Sequence, residues 1–419
     1  MMTSILNPLQ KTIFILCFSI LLIGCKNEKK ESKQTQTTEA VKVTEPFQED
    51  VDFMKQYEKD LIVLQSGESM IAVAPRLQGR VMTSSANGMA GTSYGWINKG
   101  HYESGEINPQ INVYGGEERF WLGPEGGQYS IFFEKDEDFI FELWETPKLI
   151  DLEPFDIVEQ SENKVSFTKT ASLKNYSDFT FNMQIDRTVT VVSEDETKEV
   201  LGIESIEGLK SVGYKTENKL KNVSQVAWEK DNGLLSIWML GMYKHSQTTT
   251  VVLPFIEAVD KAVNVYESFG KLSDDRLIEK DGVAYFKADG KHRSKIGLSP
   301  QRAKDIAGSY DAENGTLTLV KYNKPEGVTD YVNSKWEIQD KPFAGDVVNS
   351  YNDGSVDGGK PLGPFYELET SSPAAALQPN ESITHIQYTF HFEGYKAKLD
   401  AIAQATLGVS LEEIERTFR

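Results

Sequence analysis

Apolar side chains alternate with polar ones through most of this chain. In FTFNMQID, Phe179, Phe181, Met183 and Ile185 fall on one face of an extended segment, and in IQYTFHF, Ile386, Tyr388, Phe390 and Phe392 do the same. A period of two marks a strand with one face buried. Shorter runs of the same character recur at LIVLQ, MIAVA, YSIFF, VSFTKT, LLSIWML and TTTVVLPF, separated by turn-rich sequence. Asn314-Gly315, set between two such runs, predicts a hairpin because both residues tolerate positive φ. Helical patterning is confined to the margins: DFMKQYEKD near the start, then YKAKLDAIAQATLG and SLEEIERTF at the end. In the last of these Ser410 and Glu413 have capping-box spacing. With about fifteen or more strands and no strand-helix alternation, the pattern predicts an all-β fold, a large antiparallel β-sandwich with short terminal helices.

The first residues read differently. Lys11 precedes an apolar run from Ile13 to Ile23 that is shorter than the roughly 20 residues a membrane span needs. It ends in Leu22-Ile23-Gly24-Cys25, which resembles a bacterial lipobox, with Cys25 the acylated residue. No A-x-A site argues for an ordinary cleavable signal instead. The following KNEKKESKQTQTTEAVKVTEPFQED has almost nothing to bury. The expected organisation is a lipoprotein signal peptide over 1–24, a disordered tether over 25–50 and one sandwich domain over 51–419. The expected location is the cell envelope, lipid-anchored, in the outer membrane of a Gram-negative bacterium.

Charge and cysteine content narrow the chemistry. A formal net charge of −19 excludes nucleic acid and anionic membrane surfaces as partners, since both are bound through basic patches; contact with the membrane is expected through the N-terminal lipid only. A neutral glycan is compatible with that charge. The two cysteines are Cys17, within the signal, and Cys25, which leaves no disulfide, thiol nucleophile or thiolate metal site. The five histidines, 101, 245, 292, 385 and 391, form no H-x-x-x-H or H-E-x-x-H pair, so no metal or other cofactor is expected. NSYNDGSVDGG, residues 349–359, has a composition that Ca²⁺ accepts, but without EF-hand spacing it reads first as a polar turn.

GGEERFWLGPEGG, residues 115–127, concentrates candidate chemistry. Its glycines permit tight turns and close backbone approach. Trp121 and Phe120 offer apolar faces for the C–H surface of a pyranose, while Glu118, Arg119 and Glu125 offer charged hydrogen bonds to hydroxyls. Alternation places one of Phe120 and Trp121 in the core. The stretch serves either a sugar or a crossing loop of purely structural purpose. Glu367 and Glu369 are two apart, hence on one strand face; they serve either as a glycosidase carboxylate pair or as two glutamates on a solvated face. His245, in MYKHS, and His101, in NKGHYESGEIN, are the candidate proton donors.

LGPFYELETSSPAAALQPNESITHIQYTFHF carries a resemblance. Its LET followed by a proline and an aromatic-rich strand resembles the end of the galactose mutarotase (aldose 1-epimerase) family, and QPNES and IAVAPRLQGRVMTSS are similar to segments of related proteins. GGEERFWLGPEGGQYSIFF is similar to a group of uncharacterised bacterial lipoproteins with such sandwiches. The resemblance, spread over about residues 60–395, implies a mutarotase-like supersandwich, a carbohydrate ligand, and Glu369 as catalytic base. It departs where the family carries its acid histidine: Ser236, Ile237, Trp238 and Met239 stand there, and Trp238 joins the candidate ligand contacts. Ring opening needs an acid and a base, each contributing roughly 10²- to 10⁴-fold. Three readings remain open: a sugar-binding protein, an epimerase or glycosidic-bond-cleaving enzyme using Glu369 with Glu367 or His245, and an assembly lipoprotein whose loops contact another envelope protein.

Overall fold

A computed structural model describes residues 45–259, 262–355 and 360–419. The expected signal segment, Cys25 and most of the tether lie outside the described residues, as does Asp357 of the 349–359 segment. Residues 45–50, expected in the tether, belong to the folded body instead. The first helix, Phe47–Met54, begins there. Phe47 is fully buried, and Asp50 accepts from Ser93 at 2.6 Å and pairs with Lys99 at 2.7 Å. What drew that boundary too late was a polar run in which Phe47 alone marks the start of the buried part.

Among the described residues three sheets form, one of ten strands, one of six and one of three. Every strand pair within them is antiparallel, including Leu209–Asn222 beside Thr180–Val191 and Phe365–Ser371 beside Ser236–Lys244. Alternation works as read in Thr180–Val191, where Phe181, Met183 and Ile185 are fully buried. The hairpin forms between Ile306–Asp311 and Thr316–Tyr322, with Gly315 at φ 65°. At the C-terminus the helices run over Lys396–Leu407 and Leu411–Arg416, and Ser410 accepts from the Glu413 amide at 3.2 Å.

The ten- and six-stranded sheets pack face to face. Apolar contacts between them join Phe181 and Met183 to Ile237 and Met239 at one end, and Val251 and Phe286 to Ile296 and Leu368 at the other. Between these patches the interior is polar. Arg187 donates to Glu118 at 2.9 Å and also bonds Asn218, and Gln387 donates to the other Glu118 oxygen at 2.8 Å. Thr370 bonds His385 at 2.7 Å and Gln387 at 2.6 Å, and His391 bridges Glu117 at 2.7 Å and Thr318 at 2.9 Å. In Ser382–Gly394 it is the polar face, His385, Gln387, Thr389 and His391, that turns into the sandwich. Its apolar face at Phe390 and Phe392 is covered by the C-terminal helices.

Candidate functional site

The outer face of the six-stranded sheet, away from the ten-stranded one, carries the site. Its strand order is Val263–Val265, Ser294–Leu298, Val348–Asn352, Phe365–Ser371, Ser236–Lys244 and, at the edge, Arg119–Gly123. Register assembles the outward side chains in rows: Arg119 beside Leu240, Glu369 and Asn349; Trp121 beside Trp238; Met242 beside Glu367, Tyr351 and Lys295. Strand alternation alone places these residues on one face.

Over them lies a cavity of about 380 Å³, within the roughly 300–1,000 Å³ usual for ligand sites. One wall is aromatic. Trp121, Trp144 and Trp336 line it, with Trp144 stacked on Trp336 at 5.9 Å and on Phe141 at the mouth, also 5.9 Å, and Phe141 is 54% exposed. The floor is charged. Arg119 donates to Glu367 at 2.5 Å and lies 5.0 Å over the Trp121 ring. Lys295 donates to Glu369 at 2.9 Å and sits 4.8 Å over Trp238, whose indole N–H donates to the same Glu369 oxygen at 2.9 Å. Glu125, Trp238 and Lys295 also line a smaller adjoining recess of about 40 Å³.

Burial shifts two of the carboxyl groups beside these cations. Burial pushes Glu367 up to about 8; Arg119 opposes and Glu369 adds. Burial likewise pushes Glu125 up to about 7, against Lys295 and with Glu369. Burial opposes the charge on Lys295, yet Glu369 and Glu125 outweigh it and hold the ammonium above its usual range. Near neutral pH Glu125 and Glu367 are therefore able to give a proton, beside Glu369, which accepts from Lys295 and an indole. Three buried polar atoms of the lining, Arg119 Nε, Trp121 Nε1 and Trp144 Nε1, and Glu369 Oε1 beneath them have no protein hydrogen-bond partner among the described residues.

Of the residues singled out from sequence, Arg119, Trp121, Glu125, Trp238 and Glu367 line the cavity, and Glu369 is bound to two of its lining residues. Glu118 and His245 are corrections. Glu118 alternates with Arg119 and therefore points between the sheets, tied to Arg187. His245 follows the Ser236–Lys244 strand with inward parity, half-buried against Gly290 and outside the cavity, where desolvation lowers its pKa. His101 sits in the Lys99–Ser104 helix, its ring 4.5 Å from Tyr114. Phe120 is the core member of its pair, against Phe155, and Trp121 the site member. In the 349–359 segment, Asn352 accepts from the Gly290 amide and Asp353 from the Tyr351 hydroxyl and the Gly363 amide. The opening glycines of GGEERFWLGPEGG are structural: at Gly115, φ is 86° and a Cβ would stand 2.2 Å from the Trp96 carbonyl oxygen. The stretch thus serves both purposes, its first residues building a turn and its later ones the site.

Sequence reading missed Lys295, Arg293, Tyr351, Trp144 and Trp336. Lys295 and Arg293 had a signal, two cations at alternating positions leading into the apolar KIGL, which in a buried strand must face something polar. The tryptophans had none, because they come from loops whose course depends on the whole sandwich.

Among the described residues the sheets are antiparallel throughout, and the two larger ones form a sandwich. Similar solved structures include an Escherichia coli K12 protein provisionally assigned as an aldose 1-epimerase, 10% identical with TM-score 0.49 over 80% of this chain and 99% of that one. Others are a galactose mutarotase-like protein from Lactobacillus casei, 10% identical with TM-score 0.48 over 80% of this chain and 100% of that one, and the Slr1438 protein of Synechocystis, 11% identical with TM-score 0.49 over 80% and 96%. Residues 45–418 match a family of unknown function, DUF6786, and the chain belongs to that family. No curated protein matches it.

Proposed function

We propose that this protein is a carbohydrate-binding protein of the cell envelope, held to the membrane by a lipid on Cys25 and serving glycan uptake or processing. One observation carries the binding: the aromatic wall of Trp121, Trp144 and Trp336 faces a floor of carboxylates and cations in one cavity. Aromatic faces match the C–H surface of a pyranose, and fixed charged groups match its hydroxyls in both donor and acceptor roles. The anchor rests on Lys11, the apolar run to Ile23 and the Leu22-Ile23-Gly24-Cys25 sequence.

The carboxyl groups favour a second reading, an epimerase or glycosidic-bond-cleaving enzyme. In it Glu369 is the base, and Glu125 or Glu367, raised toward or above neutrality by burial, is the acid in place of a histidine. NMR of a mono- and oligosaccharide panel with the purified protein tests both. Saturable broadening of a sugar's signals supports binding, and no broadening by any sugar refutes it. Anomeric exchange or bond cleavage faster with wild type than with Glu369→Gln establishes the enzyme; exchange no faster than in buffer leaves a binding protein.

A further inference from the structure

Arg293 stands immediately ahead of the Ser294–Leu298 strand, two residues from Lys295, and so shares its outward face. It lines the cavity beside Tyr351, Leu362 and Phe365. The other two cations of the lining are occupied, Arg119 by Glu367 at 2.5 Å and Lys295 by Glu369 at 2.9 Å. Arg293 is not. Its one ionic neighbour among the described residues is Asp353, reached by Nε at 3.6 Å, and Nε makes no hydrogen bond. Asp353 is already engaged, accepting from the Tyr351 hydroxyl at 2.6 Å and the Gly363 amide at 2.8 Å. Among the described residues no acceptor meets the two terminal nitrogens of this guanidinium, which leaves them open to an outside one. A guanidinium offers two parallel N–H donors, the geometry a carboxylate answers and a single hydroxyl does not.

We propose that the carbohydrate taken by this cavity is a hexuronate, or an oligosaccharide containing one, with its carboxylate held by Arg293. This rests on the carbohydrate reading above. Two strand residues separate the Arg293 row from the Lys295 row, ~7 Å, a span comparable with a pyranose ring and its C6 carboxyl group. A carboxylate on Arg293 lays the ring across Tyr351 and Phe365 and brings the hydroxyls of its far edge to Lys295 and Glu367. A neutral hexose in the same place offers Arg293 only a hydroxyl.

Calorimetric titration of the whole protein with matched pairs, galacturonate against galactose and glucuronate against glucose, as monosaccharides and as disaccharides, tests the assignment. In wild type one acid binds at least about tenfold more tightly than its neutral counterpart. Arg293→Gln lowers the acid's affinity by about 10- to 100-fold and collapses the ratio between the pair, as loss of charge-assisted hydrogen bonds requires. Arg293→Lys, which keeps the charge without the fork, restores part of the preference. Equal affinity for acid and neutral sugar in wild type overturns the proposal and leaves the carbohydrate reading standing. A preference that survives Arg293→Gln overturns the role of Arg293. Binding of neither kind overturns the carbohydrate reading and this proposal with it.

Discussion

Glutamine in place of Glu125 keeps the side chain's shape and removes its titration. Burial, with Glu369 nearby, raises this carboxyl from 4.5 to about 7 although Lys295 pulls the other way. In the unfolded chain the same group ionises near ~4.3. Between those two values the unfolded state releases a proton that the folded state keeps. The folded state then binds more protons, so its stability falls as pH rises, and the contribution is fully present only below the lower value. The difference, 7 less 4.5 or about 2.5 pH units, converts at ~1.36 kcal/mol per unit to ~3 kcal/mol. Glu125 is only 8% exposed, so solvent screening takes little from that figure. Glu367 titrates in the same sense but is present in both proteins and cancels in their difference. The assay is urea unfolding followed by tryptophan fluorescence, for wild type and Glu125→Gln, from about pH 4 to about pH 8. Glu125→Gln should gain on wild type by ~3 kcal/mol between about pH 4.5 and 7 and hold a constant lead above. Curves that stay parallel across that range would refute the placement of Glu125 as a buried titrating carboxyl.

Arg187→Met strips Glu118 of its ion pair while leaving it fully buried, which should cost about 3–5 kcal/mol in urea unfolding; a loss below about 1 kcal/mol would show that the polar interior carries little weight. Gly115→Ala forces a side chain onto positive φ and into the Trp96 carbonyl, and should cost roughly 2 kcal/mol or more in thermal or urea unfolding. His245→Asn should leave sugar affinity and any turnover as in wild type, since the ring lies outside the cavity; loss of either in a normally folded variant would return His245 to the site.

The class of fold was legible because alternation is local. Phe181, Met183 and Ile185 announce a buried face whatever they pack against. Alternation also paired Glu367 with Glu369 and separated Phe120 from Trp121, but it carries no sign telling inside from outside. That is why Glu118 is expected at the site although its neighbour Arg119 is the one that lines the cavity. The Ser382–Gly394 strand defeated the simplest rule, for its aromatic face looks toward helices and its polar face into the sandwich. A polar residue is expected outside only when nothing inside can satisfy it, and Glu118, Arg187 and Asn218 satisfy one another. The Glu194–Leu201 helix had a legible start, Ser193 with Glu196, and a glycine stop at Gly202, but it interrupts a run of strands. Lys295 comes to Glu369 from 74 residues away, through sheet order that no local pattern encodes.

The polar interior has a consequence for how such a protein can change. Glu118 alternates with Arg119, and Thr370 with Glu369, so in each pair one residue joins the sheets and its neighbour meets the cavity. Exchanging an outward residue alters what the cavity accepts and leaves the contacts between the sheets untouched. Specificity and architecture are thereby written in alternate letters of the same strands. A lineage that preserves the inward letters is free to rewrite the outward ones, so chains with this same sandwich can diverge in what their cavities accept without passing through an unfolded intermediate.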